Sequence, residues 1–134
     1  MQLIETHAHI YLPEFDADRQ IMVDKAHSAG VQQIIMPAID AATHAQMLQV
    51  EAQFDNCKAM MGLHPCSVKE GYKKELEVVE GYLKQRPFAA VGEIGLDFYW
   101  DTTFTQQQYD AFETQIGWAL QYDLPIVIHS RNAM

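Results

Sequence analysis

Basic residues are scarce in this chain: nine lysines and arginines stand against eighteen aspartates and glutamates, a formal charge of −9 over 134 residues. That balance argues against a broad basic surface that follows phosphates by charge alone. It favours solubility over nonspecific contact with DNA or anionic membranes. A phosphate ligand would have to be drawn by something local, such as bound cations. Cysteine is almost missing as well. Cys57 and Cys66 are the only two and lack CxxC spacing, so no disulfide scaffold is encoded and a reducing, cytoplasmic setting is the simplest reading. The first residues, "MQLIETHAHI", carry no basic segment ahead of a long apolar core, and no apolar run approaches the ~20 residues of a membrane span. Repeats, linkers and low-complexity stretches are absent. No glycine-rich phosphate loop follows the first strand, where "HIYLPEF" stands instead.

What is present is an alternation of strands and helices. Hydrophobic residues make up 49% of the chain, enough for one domain with its own core. Strands are expected at 2–9, 31–38, 57–65, 88–96 and 125–130. Helices are expected at 16–29, stopped by Gly30; at 43–54, opened by a capping box of Thr43 and Gln46; at 73–86, with Leu76, Val79 and Leu83 on one stripe; and at 105–122, opened by Thr105 and Gln108. Strand–helix alternation with short loops implies a parallel sheet built from βαβ units. An open doubly wound sheet would announce itself with the missing glycine loop. The fold class is therefore α/β, a (β/α)8 barrel. Five strands and four helices amount to a little over half of the roughly 250 residues such a barrel takes, so residues 1–134 read as the N-terminal portion of a single barrel domain with no second domain.

Polar residues end several of these strands on one side. His7 and His9 stand at i, i+2 and project to the same side of a strand, opposite Thr6, Ala8 and Ile10. Glu93 ends an apolar run and has glycines on both sides in "VGEIGLDFY"; a carboxylate there has two oxygens and can bridge two cations ~3.5–4 Å apart. His129 ends the apolar strand "PIVIHS". Each alone has a bland explanation as a packed or surface residue. Together, four metal-type ligands ending three strands on one face point to a metal site.

The segments "ETHAHI", "GLHP", "GEIGLDFY" and "PIVIHSR" resemble, in order and over the whole chain, the motifs of the TatD family of metal-dependent hydrolases. The resemblance implies two divalent cations (Mg, Mn or Zn), with His7 and His9 on the first, Glu93 bridging as the catalytic carboxylate, and His129 on the second. It implies that His64 contacts substrate, and that Arg131 either contacts a substrate phosphate or anchors structure. Asp97 is expected to orient the loop after Glu93. The family often has Asp where Glu5 stands and His where Cys66 stands, and it supplies a further histidine and a catalytic Asp from later strands. The implied activity is cleavage of phosphodiester bonds in DNA. Two rivals stand beside it: an amide or ester hydrolase of the amidohydrolase type, and an inactive fragment whose open sheet edges self-associate.

Other features read blandly. His27 and His44 are expected to be solvated on helices. Phe98, Tyr99 and Trp100 either stack on a base or roof the pocket with apolar surface, and roofing is favoured. The seven methionines read as core filling.

Overall fold

A computed structural model describes residues 1–134. The elements run β1 (Leu3–Glu5), α1 (Arg19–Ser28), β2 (Val31–Met36), α2 (Ala41–Gln53), β3 (Cys57–Ala59), α3 (Tyr72–Gln85), β4 (Val91–Asp97), α4 (Thr105–Gln121) and β5 (Ile126–Arg131). Short 3-10 turns occupy Pro13–Phe15 and Pro65–Ser67. Every strand pairing is parallel and joins neighbours in sequence. No helix is long and apolar enough to cross a membrane.

The strands form two ladders, β1-β2-β3 and β4-β5, instead of the single five-stranded sheet expected. A bridge between Met61 and Val91 links them, with Met61 N donating to Ala90 O at 3.1 Å and Gly92 N to Met61 O at 3.0 Å. β3 is short because the chain beyond it is held by a side chain. Gln115 of α4 accepts from Leu63 N at 2.7 Å and donates to Leu63 O at 3.2 Å. Those backbone groups, buried and satisfied in this way, set the direction in which His64 leaves the sheet.

Helix packing follows the apolar stripes. Leu76, Val79 and Leu83 of α3 are buried, each contributing about 1.5–3 kcal/mol of burial free energy. Met36, Met47, Met60 and Met61 fill the core, whereas Met1, Met22 and Met134 are exposed. The helix starts differ from expectation. α2 opens on Asp40, whose carboxylate accepts from Thr43 N at 3.1 Å, so the capping box lies three residues earlier than Thr43–Gln46. α4 has no side-chain cap, because Gln108 is turned inward to other work. α1 begins at Arg19 after the 3-10 turn; Arg19 donates from Nε to Ile10 O at 2.7 Å and tethers that turn.

His27 is exposed, as expected, but His44 is buried. Its Nε2 donates to Gly62 O at 3.1 Å and its ring stands edge-on to Tyr82. Burial pushes its pKa down, so it is a neutral core residue. The two outer strands leave apolar side chains open: Ile4 is 59% exposed on β1 and Ile128 54% on β5. A cavity of about 190 Å³ lies between β1 and α1, lined by Ile10, Met22, Val23 and Val31 among others.

Candidate metal centre

β1 stops at Glu5, so His7 and His9 lie just beyond the strand instead of on it. The alternation survives the change. Ala8 N still donates to Ile35 O of β2 at 3.2 Å, Ile10 is buried in the core, and the two histidines turn to the opposite side. Glu5 supports this segment through its backbone, Oε1 accepting from His7 N at 2.9 Å.

Glu93 is held on β4 by close approach of its neighbours. A Cβ on Gly92 would lie 2.8 Å from Val127 Cβ. Gly95 has φ +145°, and a Cβ there would lie 1.9 Å from His129 O. Only glycine admits that conformation and that contact. The glycines therefore let β5 press against β4 and bring His129 to Glu93.

The result is one buried carboxylate with imidazoles on both of its oxygens. Oε2 of Glu93 is 3.1 Å from His7 Nε2 and 3.4 Å from His9 Nε2. Oε1 is 3.2 Å from His129 Nδ1 and 3.8 Å from His64 Nε2. Burial raises the Glu93 pKa, but the imidazoles of His9, His64, His7 and His129 around it outweigh that, and the carboxyl is held down at about 2. His64 is driven the other way, mainly by burial, down to about 4. It is thus neutral near pH 7. Its Nδ1 accepts from Cys66 N at 3.0 Å, so the ring proton sits on Nε2, facing the cluster.

Two residues outside the expected ligand set fix the ring orientations. Asp97 is 2% exposed. One oxygen takes the His129 Nε2 proton at 2.7 Å and the other accepts from Tyr99 N at 3.0 Å. It therefore orients the following loop, as expected, and also holds His129 with Nδ1 turned to Glu93. Gln108 clamps the Asp97 backbone, accepting from N at 2.8 Å and donating to O at 2.9 Å. Tyr11, fully buried, donates from its hydroxyl to Pro37 O at 2.7 Å and lies 3.2 Å from His9 Nδ1. The hydroxyl proton is committed to the carbonyl, so His9 Nδ1 donates to the oxygen and its Nε2 lone pair is left toward Glu93. Sequence reasoning passed over Tyr11. Its spacing of two from His9 in the same alternating stretch was the available signal.

The donor chemistry fits divalent cations. Glu93 and Asp97 are buried carboxylates whose only ion-pair partners are imidazoles, and buried charge is offset either by such pairing or by a coordinated metal. Donor atoms of His7, His9 and Glu93 lie within 4.8 Å of one another, as do those of His64, Cys66 and His129. Ligands around a tetrahedral ion at ~2.0–2.2 Å stand roughly 3.4 Å apart, close to the observed His–Glu93 separations.

Arg131 lies away from the carboxylate, its guanidinium 3.6 Å over the ring of Tyr99. Tyr99 and Trp100 are 50% and 70% exposed. The Asp97–Tyr99 bond draws the loop outward, while Phe98 packs against Tyr109.

A parallel α/β sheet with a histidine–carboxylate cluster beyond its carboxyl ends is the arrangement of a barrel enzyme's active face. The chain belongs to the TatD related DNase family, whose sequence model matches residues 4–134. It is 36% identical over 133 residues to YjjV of Escherichia coli K12, a metal-dependent hydrolase, covering 98% of this chain and 51% of that protein. It is 34% identical over 123 residues to the 3'-5' ssDNA/RNA exonuclease TatD of Pantoea vagans, covering 90% of this chain and 46% of the relative. The crystal structure of YjjV superposes with a TM-score of 0.89 over 97% of this chain and 51% of YjjV. The chain thus spans about half the length of the relatives it matches, and its fold is part of a (β/α)8 barrel.

Proposed function

We propose that residues 1–134 form the N-terminal half of a single-domain barrel hydrolase that cleaves phosphodiester bonds in DNA or a related nucleic acid. The observation that carries this reading is the division of Glu93: one oxygen faces His7 and His9, the other His129 and His64. One carboxylate between two histidine sets suits two divalent cations, one held by His7, His9 and Glu93, the other by Glu93 and His129. Imidazole donors favour Zn or Mn over Mg. Bound cations would lower the pKa of a water and offset charge on the phosphate. The chain's own residues do the rest. Asp97 and Tyr11 fix the ring faces of His129 and His9. Neutral His64 donates from Nε2 to a substrate oxygen. Arg131 contributes a fixed positive charge two residues beyond His129, on the same side of β5. The bridging position holds Glu and no lysine, which favours this reading over an amide hydrolase.

The test is calorimetric titration of the chelator-stripped chain with Zn or Mn. Two equivalents are expected at pH 7.5, with affinity falling below about pH 6 as the imidazoles protonate. Glu93→Gln should weaken both. A chain that takes up no metal, or whose affinity is flat from pH 7.5 to 5, refutes the assignment.

A further inference from the structure

The two sides of Glu93 do not offer the same donors. His7 and His9 bring nitrogen to one oxygen. On the other side a sulfur stands among the imidazoles: donor atoms of His64, Cys66 and His129 all lie within 4.8 Å of one another. Cys66 is placed by the 3-10 turn Pro65–Ser67, and its backbone N–H donates to His64 Nδ1 at 3.0 Å. Its thiol hydrogen-bonds to Asp97, the carboxylate that also holds His129. The other cysteine has the usual place of this residue type, fully buried in the core on β3. Cys66 is open to solvent and free of any disulfide.

Tautomers decide which of the three atoms is left for a cation. His64 Nδ1 is taken by the Cys66 N–H, so Nε2 carries the ring proton and has no lone pair to give. His129 gives its Nε2 proton to Asp97 and keeps the Nδ1 lone pair toward Glu93. The sulfur of Cys66 is the donor that remains. We propose that Cys66 supplies a thiolate to the cation held by Glu93 and His129, so that the centre is asymmetric: nitrogen and oxygen donors at His7, His9 and Glu93, a sulfur-containing set at Glu93, His129 and Cys66. This deepens the two-cation reading of the same site and rests on it. Coordination replaces the S–H bond with an S–metal bond, and the proton leaves to the buffer; nothing is oxidised.

The two sets then differ in the class of ion they take. A thiolate selects zinc or the softer cadmium and disfavours Mg and Mn, whereas imidazole with carboxylate draws no such line. Sulfur and nitrogen on a tetrahedral zinc, at ~2.3 and ~2.0–2.1 Å, stand roughly 3.6 Å apart. The observed spread closes to that within the swing of a cysteine's single side-chain torsion. The Nε2–H of His64 faces the cluster and suits a thiolate, since donors to a charged acceptor make the stronger hydrogen bonds. A cavity of about 190 Å³ beside the thiol, lined by Cys66, Lys69, Asp97 and Gln108 among others, gives an ion access, and none of its lining residues belongs to the outer strands β1 and β5.

The test is absorption spectroscopy of the chelator-stripped chain titrated with Co(II) under reducing, oxygen-free conditions. A thiolate on Co(II) gives an intense near-ultraviolet charge-transfer band that imidazole and carboxylate do not. The band should grow with one of the two bound equivalents, stay in Cys57→Ser and vanish in Cys66→Ser. Cys66→Ser should also weaken cadmium binding by at least about tenfold, the loss that removing even an outer partner brings, and leave Mn binding unchanged. If Cys66→Ser does not fold, alkylation of the native chain decides: Cys66 is the open thiol, and cadmium should protect it where Mn does not. Two equivalents of Co(II) bound without the band, a band that persists in Cys66→Ser, or a thiol that reacts equally with and without cadmium overturns the inference and leaves the two-cation reading standing. A chain that binds no Co(II) refutes both.

Discussion

Replacing Tyr11 by Phe removes a single oxygen and leaves the ring in place, yet that oxygen has two buried duties. It donates to Pro37 O and accepts from His9 Nδ1. Without it the Pro37 carbonyl keeps no hydrogen-bond partner in a fully buried setting, at a cost of about 1–3 kcal/mol. Unfolding entropy near 2.1 cal/mol/K per residue comes to about 0.28 kcal/mol/K for 134 residues. The melting temperature of the metal-free variant should therefore fall by roughly 4–11 °C. His9 also loses the partner that fixes its tautomer, and loss of such outer partners weakens metal binding about 10- to 100-fold. Calorimetric melting in chelator at one fixed protein concentration reads the first effect, and competition with a chromogenic zinc chelator reads the second. Tyr109→Phe, at an exposed position, is the control and should stay within about 0.5 kcal/mol of the parent. A Tyr11→Phe protein that melts with the parent and binds zinc equally well would refute both the hydrogen-bond geometry and the role given to His9.

Gln115→Leu keeps the side-chain volume but strands Leu63 N–H and C=O; a loss of about 2–4 kcal/mol is expected from urea unfolding, against no change for exposed Gln106→Leu. Acid should destabilise the metal-free chain early. His64 is held near 4 in the fold against 6.5 in the open chain, so the unfolded state binds the extra proton between those values and stability is full only above pH 6.5. On the order of 3 kcal/mol should be gone by pH 4. Glu93, held near 2 against 4.5, extends the loss below pH 4.5, and urea midpoints flat from pH 7 to 4 would contradict these environments. The open edges at β1 and β5, with Ile4 and Ile128 exposed, should make the chain self-associate in sedimentation experiments. Nuclease activity should stand at least 10²-fold below that of the chain complemented with the C-terminal half of YjjV, and a monodisperse, fully active monomer would refute the half-barrel reading.

The order of elements and the convergence of His7, His9, Glu93 and His129 were legible in sequence because both follow from local rules. Strand alternation sets which side a histidine faces, apolar runs ending in one polar residue mark strand ends, and the glycines around Glu93 mark a close approach. What was not legible depends on partners far along the chain. Gln108 looked like half of a capping box, a reading based on neighbours three residues away. Its true partner is the Asp97 backbone, on another element. His44 looked solvated because the hydropathy around it is mixed, yet it is covered by α3 through Tyr82 and bonded to Gly62. Nothing local specifies either contact.

The same distinction explains how the site is stiffened. Gln108 and Gln115 stand seven residues apart, two turns along one face of α4. Each grips the backbone of a different segment, Asp97 at the end of β4 for the first and Leu63 in the chain beyond β3 for the second. Asp97 aims His129, and Leu63 precedes His64, whose ring lies 4.5 Å from that of His129. One helix thereby sets the spacing between His129 on β5 and His64 at the turn beyond β3. A buried amide that satisfies both backbone groups of one residue locks position and direction together, which a hydrophobic contact would not do. The metal-type face of this half-barrel is thus aligned from behind by α4 and from within by Asp97 and Tyr11. The residues that align these rings are buried amides, a carboxylate and a phenol, none of which is itself one of the expected metal ligands.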